Sequence, residues 1–158
     1  MKHVLISFST KQTIDLGKKL SKVIKSGDII CLRGELGSGK TTFIKGIAKG
    51  LNINEITSPS FVIVKEYKIK NGKFCHIDLY RLTQKDFFYS GLEEYLSNKN
   101  ICAIEWPEKI DYIINFILKK QKNYLEIKIS IESKNKRKIE FITNNKRFLK
   151  IIKNDLGN

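Results

Sequence analysis

The chain has 158 residues, of which 41% are hydrophobic and 29% charged, and its 30 Lys and Arg against 16 Asp and Glu give a formal net charge of +14. This length and apolar content suffice for one compact domain with a core and are short for two. No apolar run approaches the roughly 20 residues of a membrane span, and the apolar stretch after Met1 is too short for a signal peptide, so we expect a cytoplasmic protein.

The first part of the chain predicts two alternating strands and helices. In order, the segments are an apolar run at Val4–Phe8, an amphipathic stretch from Ile14 to Ile24 that Ser26-Gly27 ends, a strand-forming run at Asp28–Leu32, and a helical pattern from Phe43 to Leu51. Both helical patterns have apolar residues at three- and four-residue spacing, whereas the strand-like runs are short and rich in Ile and Val.

Between the second strand and the second helix lies a complete G-x-x-x-x-G-K-[ST] loop, Gly34–Thr41. Its glycines allow consecutive backbone amides to face an anion, Lys40 can reach the β- and γ-phosphates, and the Thr41 hydroxyl can bind Mg²⁺. The following helix adds its positive N-terminal end. This context favours a nucleotide site over a turn that only caps a helix. The candidate phosphate-binding residues are Glu35, Leu36, Gly37, Ser38, Gly39, Lys40, Thr41 and Thr42.

The middle of the chain predicts a hairpin and then a helix. Phe61–Ile69 and Phe74–Leu79 are strand-like and flank Asn71-Gly72, a strong hairpin turn. Ahead of them, the hydroxyls of Ser58-Pro59-Ser60 either sense a γ-phosphate or belong to a turn that starts an edge strand. Asp86–Ser97 has the pattern of a helix.

The C-terminal part predicts a buried strand, a helix, an antiparallel pair and a closing helix. Ile101–Ile104 is the strand, and Pro107 opens a helix through about Leu118. Tyr124–Ile131 and Arg137–Thr143 alternate like two antiparallel strands, and Phe148–Ile152 predicts the last helix.

This order predicts a single α/β domain over residues 1–158, with the three layers of a P-loop NTPase. We expect a sheet that is parallel around the phosphate loop and antiparallel at its edges. The basic C-terminal portion, 119–158, belongs to the same domain and carries twelve Lys or Arg against four acids. It is either a basic face for RNA or an acidic partner, or the solvated surface of a Lys-rich chain.

The three cysteines, Cys31, Cys75 and Cys102, all lie in apolar strand-like runs. None forms a C-x-x-C pair, so neither a disulfide framework nor a zinc site is indicated. We expect them to be small core residues.

Acidic residues end two of the strands, Asp78 and Glu105. In an open α/β sheet the C-terminal strand ends line the ligand crevice. Either acid can complete a Mg²⁺ shell with Thr41 or orient a water on the γ-phosphate, and the sequence leaves open which one touches the ion. His76 alternates onto the face of Asp78, where we expect it to pack or hydrogen-bond. Trp106, the only tryptophan, either lies over the nucleotide or packs in the core.

Five short strings occur in order along the chain: Gly34–Thr42, Ser58–Phe61, His76–Leu82, Gly91–Tyr95 and Ile104–Glu108. Together they resemble the TsaE family, bacterial P-loop ATPases of the tRNA threonylcarbamoyladenosine pathway. The H-x-D-L-Y-R-L and E-W-x-E strings are far more specific than the phosphate loop, which many NTPases carry. The resemblance covers roughly residues 9–109 and a weaker tail.

The resemblance implies an ATPase that is weak alone and acts with the TsaD and TsaB proteins, which modify adenosine 37 of tRNA. It implies that Lys40 and the loop amides hold the phosphates of ATP. Thr41 and Glu105 would then hold Mg²⁺, and Asp78 would assist the metal or the attacking water. Contact with tRNA would be indirect, through the complex, or direct through the basic C-terminal portion.

The resemblance also implies a switch hydroxyl at Ser60 and a nucleotide-bordering side chain at Trp106. Further nucleotide contacts would come from Thr10, at the start of the first helix, and from Arg137, in the late strands. The chain departs from the family at Ser60, where Thr is more common, and at Ser38, where Ala is usual.

Two other function classes remain open. A small-molecule kinase shares the phosphate loop but needs an acceptor pocket and an Arg-bearing lid, and between Tyr80 and Leu118 we find only Arg81. A nucleotide-dependent binding module would hydrolyse too slowly to matter. No guanine-reading N-K-x-D string is present, which favours adenine.

Overall fold

The structure is a computed structural model that describes residues 1–59, 62–96, 99–112, 114–115, 123–154 and 156. Within these residues, seven strands form one mixed sheet. The strands are β1 (Lys2–Ser7), β2 (Ile29–Arg33), β3 (Val64–Ile69), β4 (Gly72–Asp78), β5 (Asn100–Glu105), β6 (Tyr124–Ile131) and β7 (Arg137–Ile142). Their order across the sheet is β1-β7-β6-β2-β5-β4-β3. The central pairs β2–β5, β2–β6 and β4–β5 are parallel, and the outer pairs are antiparallel. The predicted α/β sheet is confirmed.

Helices cover both faces of this sheet. They are α1 (Thr10–Leu20), α2 (Lys40–Gly50), α3 (Gln84–Tyr89) and α4 (Lys146–Asn154), with 3₁₀ helices at Leu92–Leu96 and Pro107–Ile110. One buried cluster lies under α1, α2 and α4, and another under α3 and the 3₁₀ helices. Successive strand residues point to opposite faces, so Ile30 and Leu32 enter the first cluster while Ile29 and Cys31 enter the second. No described helix has the length and apolarity needed to cross a bilayer.

Two glycines let α1 and α2 approach until their backbones touch. A Cβ on Gly17 would lie 2.3 Å from the Phe43 carbonyl oxygen, and one on Gly46 would lie 2.1 Å from the Ile14 carbonyl oxygen. A hydrogen bond from the Gln12 amide to the Ser9 side chain caps α1 at its start. This close pairing fixes where the first turn of α2 stands.

A buried ion pair attaches α4 to the start of β2. Arg147 Nη1 and Nη2 donate to the two Asp28 carboxylate oxygens at 2.8 and 2.5 Å, and Asp28 is fully buried. Arg147 also donates to the carbonyl of Val23, which follows α1. The first turn of α4 therefore lies beside the end of α1.

The helix predicted over Asp86–Ser97 is confirmed only in part: it forms as α3 and the 3₁₀ helix at Leu92–Leu96, because the chain breaks at Gly91, where φ is 68°, and Ser97 lies outside the described residues. Phe87, Leu92 and Leu96 all enter the same buried cluster. In a continuous helix, at about 100° per residue, Phe87 and Leu96 would point in opposite directions. The left-handed glycine resets the chain so that all three are buried.

Two other predicted boundaries shift. The strand expected from Phe61 begins at Val64, because Ile63 has a left-handed φ of 68° that a strand cannot include; Phe61 itself lies outside the described residues. The helix expected from Pro107 to Leu118 starts as a 3₁₀ turn, and its residues 113 and 116–118 are likewise outside them.

The prediction for the cysteines is confirmed. Cys31, Cys75 and Cys102 are buried, free thiols on the inner strands of the sheet. Burial raises the pKa of the Cys31 thiol to about 12. The Cys31 thiol therefore acts as a small apolar group in the core.

Replacing Gly46 by Ala is expected to lower the free energy of unfolding by about 2 kcal/mol. The new Cβ would lie 2.1 Å from the Ile14 carbonyl oxygen, so the overpacking cost is expected near the upper end of the usual range of about 1–3 kcal/mol, against a gain of up to about 1 kcal/mol from the better helix former. Urea unfolding measures the difference. Lys45→Ala, on the exposed side of the same helix, is the control and should change stability little; equal stability of both variants would contradict the packing account.

Candidate functional site

The loop between β2 and α2 lies against the sheet and leaves the first turn of α2 open. A Cβ on Gly34 would lie 2.3 Å from the Ile129 carbonyl oxygen, so only glycine fits this close approach to β6. Gly39 is the N-cap of α2 and supplies no side-chain hydrogen bond to it. The first amides of α2 therefore point outward from a helix end that attracts anions.

Lys40 is nearly buried in this loop, with 4% of its surface exposed. Its Nζ donates to the carbonyl oxygens of Gly34 and Glu35 at 2.7 and 3.0 Å. Burial lowers the pKa of Lys40, and neighbouring carboxylates, Glu105 first, act in the opposite direction. The Lys40 ammonium is thus held at the opening of the loop by hydrogen bonds to two backbone carbonyls, which a ligand oxygen could replace.

A chain of hydrogen bonds joins α2 to two strands through Glu105. The Thr41 hydroxyl donates to the Glu105 Oε1 and Oε2 atoms at 2.8 and 3.1 Å. The His76 Nε2 atom lies 2.8 Å from the same Oε1, and His76 is fully buried. Because an ionised carboxylate only accepts, Nε2 is the donor. Glu105 is therefore fixed from both sides.

Asp78 lies beside Glu105 at the same edge of the sheet. The two are register partners at the C-terminal ends of the parallel strands β4 and β5, so their side chains share the face that α2 covers. Asp78 is 6% exposed, and its Oδ1 accepts from the Tyr80 amide at 3.0 Å. Both predicted acids therefore lie near Thr41, because the phosphate loop follows β2 at the same edge of the sheet where β4 and β5 end.

Aromatic rings close one side of the site. The Lys40 Nζ lies 4.0 Å from the centre of the Trp106 ring, and the Trp106 and Tyr80 rings are 4.8 Å apart. Trp106 reaches this position with a left-handed φ of 60°, a strained conformation for a side chain of this size. Such contacts between a cation and an aromatic face are attractive.

These groups surround a cavity of about 270 Å³. It is lined by Leu36, Gly37, Gly39, Lys40, Thr41, Thr42, Ser58, Asp78, Tyr80, Glu105 and Trp106. The cavity thus combines an open helix N-terminus, one ammonium, two carboxylates, a hydroxyl and an aromatic wall. This combination suits a triphosphate that carries a metal ion.

A second cavity, of about 210 Å³, lies on the other side of the loop. It is lined by Ser9, Thr10, Thr13, Gly37, Ser38, Gly39, Thr42, Lys134, Asn135 and Arg137. The Arg137 Nε atom donates to the Ser38 carbonyl at 2.9 Å, and its Nη1 atom donates to carbonyls of the β6–β7 turn. Arg137 therefore holds the loop against this turn.

The oxygen donors at the first cavity fit a hard cation. Among the described residues there is no group of three or more His, Cys, Asp or Glu arranged to hold a metal. Mg²⁺ needs no such cage, because it binds through one or two carboxylates together with substrate phosphates and water. The Thr41 hydroxyl on Glu105, with Asp78 alongside, supplies that kind of partial shell.

The site residues predicted from the sequence line the two cavities on either side of the loop, with two exceptions. Glu35 lines neither cavity, and its backbone carbonyl accepts a hydrogen bond from Lys40. Ser60 lies outside the described residues. Sequence reasoning missed Tyr80, which the H-x-D-x-Y spacing could have indicated, and Lys134 and Asn135, whose turn carries no motif.

Comparisons with known proteins agree on one family. The family model described as "Threonylcarbamoyl adenosine biosynthesis protein TsaE" matches residues 7–139. A protein of Aquifex aeolicus named tRNA threonylcarbamoyladenosine biosynthesis protein TsaE is 39% identical over 142 residues, covering 88% of this chain and 94% of the relative. A Bacillus subtilis protein of the same name is 39% identical over 102 residues, covering 64% of each. The crystal structure of Bacillus subtilis YdiB superposes with a TM-score of 0.77 at 29% identity, over 99% of this chain and 94% of YdiB.

A double-mutant cycle tests the bond between His76 and Glu105. We expect His76→Leu and Glu105→Leu to be coupled by about 1–3 kcal/mol in the free energy of unfolding, because each removes the other's buried partner. Denaturant unfolding of the two single variants and the double variant gives this coupling. His76→Gln keeps a donor and should recover part of the loss. A coupling near zero would show that the contact does not stabilise the fold.

Proposed function

This chain belongs to the TsaE family, and we propose that it is a Mg²⁺-dependent ATPase of tRNA threonylcarbamoyladenosine modification. Family membership supports the pathway, since the family model spans residues 7–139 and the relatives are named for it. The ATPase assignment is supported by the site. The single observation that carries it is the Thr41–Glu105 hydrogen bond at the open first turn of α2, because it joins a phosphate loop to a carboxylate on a neighbouring strand.

The loop is suited to bind the β- and γ-phosphates. The amides at the start of α2 face the first cavity, and Lys40 can exchange its hydrogen bonds with the Gly34 and Glu35 carbonyls for bonds to phosphate oxygens. A phosphate also compensates the buried ammonium better than two neutral carbonyls do. Positioning and charge stabilisation are the main contributions that a protein makes to phosphoryl transfer.

Thr41 and Glu105 are the residues that would hold Mg²⁺, with Asp78 close to them. When bound, the ion neutralises charge on the phosphate oxygens. His76 keeps the Glu105 carboxylate in place from below the site through its 2.8 Å hydrogen bond. Asp78, whose side chain accepts from the Tyr80 amide, would orient a water or support the ion's shell.

The proposed switch is the segment after α2, which would respond to the γ-phosphate. Ser58 lines the first cavity, and Ser60, the proposed switch hydroxyl, follows two residues later. Ile63 is strained, with a φ of 68°, and its carbonyl accepts from the Asp78 amide at 2.9 Å. A conformational change in this segment would therefore act on Asp78 through this backbone hydrogen bond.

The second cavity is suited to the nucleoside end of ATP. Thr10 stands at the start of α1 and lines this cavity together with Asn135 and Arg137. The Arg137 guanidinium already donates to carbonyls of the loop and the turn, so its proposed role is to hold this wall in place beside the nucleotide. Adenine specificity would then be set by the turn between β6 and β7.

For partners, the proposal follows the family. TsaD and TsaB proteins would form the complex in which ATP hydrolysis resets the machinery between turnovers. The relatives' name refers to the same modification pathway. The proposed chain of events runs from ATP at the loop, through the Ser58–Ile63 segment, to the surface that meets these proteins.

Lys40→Ala is expected to lower phosphate release from ATP at least about 100-fold, because it removes the cation that serves the β- and γ-phosphates. Phosphate release with and without TsaD and TsaB measures this. Lys45→Ala, on the same helix but exposed, is the matched control and should retain full activity. Undiminished turnover of Lys40→Ala would reject the site.

The same assay separates the other function classes. Hydrolysis stimulated by TsaD and TsaB supports the proposal. Transfer of the γ-phosphate to a metabolite would identify a kinase instead. ATP-dependent binding to the partners without turnover would identify a binding module.

A further inference from the structure

The two helical layers carry opposite charge. On one face of the sheet, α1, α2 and α4 contain a single acidic residue, Asp15, and ten basic ones. On the other face, α3 and the 3₁₀ helices contain four acids and two lysines. The net charge of +14 is therefore not spread evenly over the described helices.

Most of the positive charge on the first layer is exposed and arranged in stripes. Within each helix the exposed lysines recur at intervals of three, four or seven residues, which places them on one side. In the described part of the chain none of them lies in an ion pair. These residues, which we name the lysine face, are Lys11, Lys18, Lys45, Lys49, Lys146, Lys150 and Lys153.

The three helices bring their stripes onto one surface. The backbones of α1 and α2 touch at Gly17 and Gly46, and Arg147 places the first turn of α4 beside the end of α1. Helices packed as closely as α1 and α2 have axes roughly 8–10 Å apart, so their two stripes are within reach of successive phosphates on one nucleic-acid backbone, and α4 extends the same side of the sheet.

The lysine face differs from the other basic part of the C-terminal region. On the sheet, Lys128 and Lys138 pair with Glu126 and Glu140 at 3.6 and 2.8 Å. Unpaired like charges four residues apart in α2 and α4 instead destabilise those helices by a few tenths of a kcal/mol each. Among the described residues, the lysine face is thus a group of unpaired lysines gathered on one helical layer, whereas these sheet lysines are compensated by neighbouring carboxylates.

The residues around the lysine face indicate which kind of partner it suits: a membrane, a protein or a nucleic acid. In α1, α2 and α4, which the structure describes in full, no large apolar side chain is exposed. A helix face that inserts into a membrane needs apolar or aromatic residues beside its lysines, and protein interfaces depend on buried aromatic anchors. A phosphate backbone needs neither, because lysines bind it through charge and counterion release.

We propose that the lysine face binds the sugar-phosphate backbone of a structured RNA. The choice of RNA as the polyanion rests on the proposed function in tRNA modification, whereas the charge argument stands without it. Contacts of this kind position a nucleic acid and carry no base sequence information. The face would hold tRNA while the nucleotide site, at the loop between β2 and α2, stays free for ATP.

The experiment compares two variants that remove the same charge from different places. The face variant carries Lys18→Gln, Lys45→Gln, Lys49→Gln and Lys150→Gln. The control variant carries Lys68→Gln, Lys70→Gln, Lys85→Gln and Lys99→Gln, four exposed lysines outside the face. Binding of a labelled tRNA transcript that reads an ANN codon is followed by fluorescence anisotropy over a range of salt concentrations. Vesicles of phosphatidylserine and phosphatidylcholine provide the second polyanion.

We expect the face variant to bind tRNA at least about tenfold more weakly than the control variant at 0.1 M salt. In a plot of the logarithm of the affinity against the logarithm of the salt concentration, its slope should also be smaller in magnitude than that of the native chain by about 3–4, since each lysine removed abolishes about one phosphate contact. Equal loss in both variants would overturn the proposal, because only total charge would then matter. Binding of the native chain to the vesicles but not to tRNA would also overturn it.

Phosphate release, measured on the same samples, keeps this proposal separate from the ATPase assignment. The face variant should hydrolyse ATP like the native chain, because none of its four lysines lines either cavity. Selective loss of tRNA binding supports the lysine face even where the native chain releases no phosphate, a result that would reject the ATPase assignment alone.

Discussion

The hydrogen bonds around Glu105 are the interaction on which the site depends. One carboxylate accepts from Thr41 on α2 and from His76 on β4, while its own backbone lies on β5. Three elements from distant parts of the chain are thereby held at one point. Because both donors are fixed by the fold, the carboxylate is oriented before any ligand arrives, and such preorganisation is what makes charged groups effective in catalysis.

Close backbone packing elsewhere in the fold determines where Thr41 and the phosphate loop lie relative to Glu105. The touching backbones of α1 and α2 fix the first turn of α2, and the close approach of Gly34 to β6 fixes the loop before it. Burial lowers the pKa of Lys40, whose Nζ lies against the Trp106 ring, and neighbouring carboxylates, Glu105 first, act in the opposite direction. The site thus confines opposite charges in a small volume, an arrangement that a metal-bound triphosphate would complete.

Much of the fold and the centre of the site could be predicted because their signals are local or regular. The phosphate loop is contiguous, and Asp78 and Glu105 follow strands whose ends must meet at one sheet edge. The break at Gly91 was not predictable from periodicity, since it reflects which cluster Phe87 and Leu96 both enter. Tyr80 had a local signal in the H-x-D-x-Y spacing, whereas the contact of Arg137 with the loop joins distant segments and depends on packing that the sequence pattern does not encode.

Calorimetric titration of the protein with ATP, with and without Mg²⁺, tests the central claim most directly. We expect ATP to bind at one site per chain, with an affinity that Mg²⁺ strengthens in the native protein but not in Glu105→Gln, because the carboxylate and Thr41 would share the ion. Absence of ATP binding, or an affinity that Mg²⁺ leaves unchanged in the native protein, would contradict it.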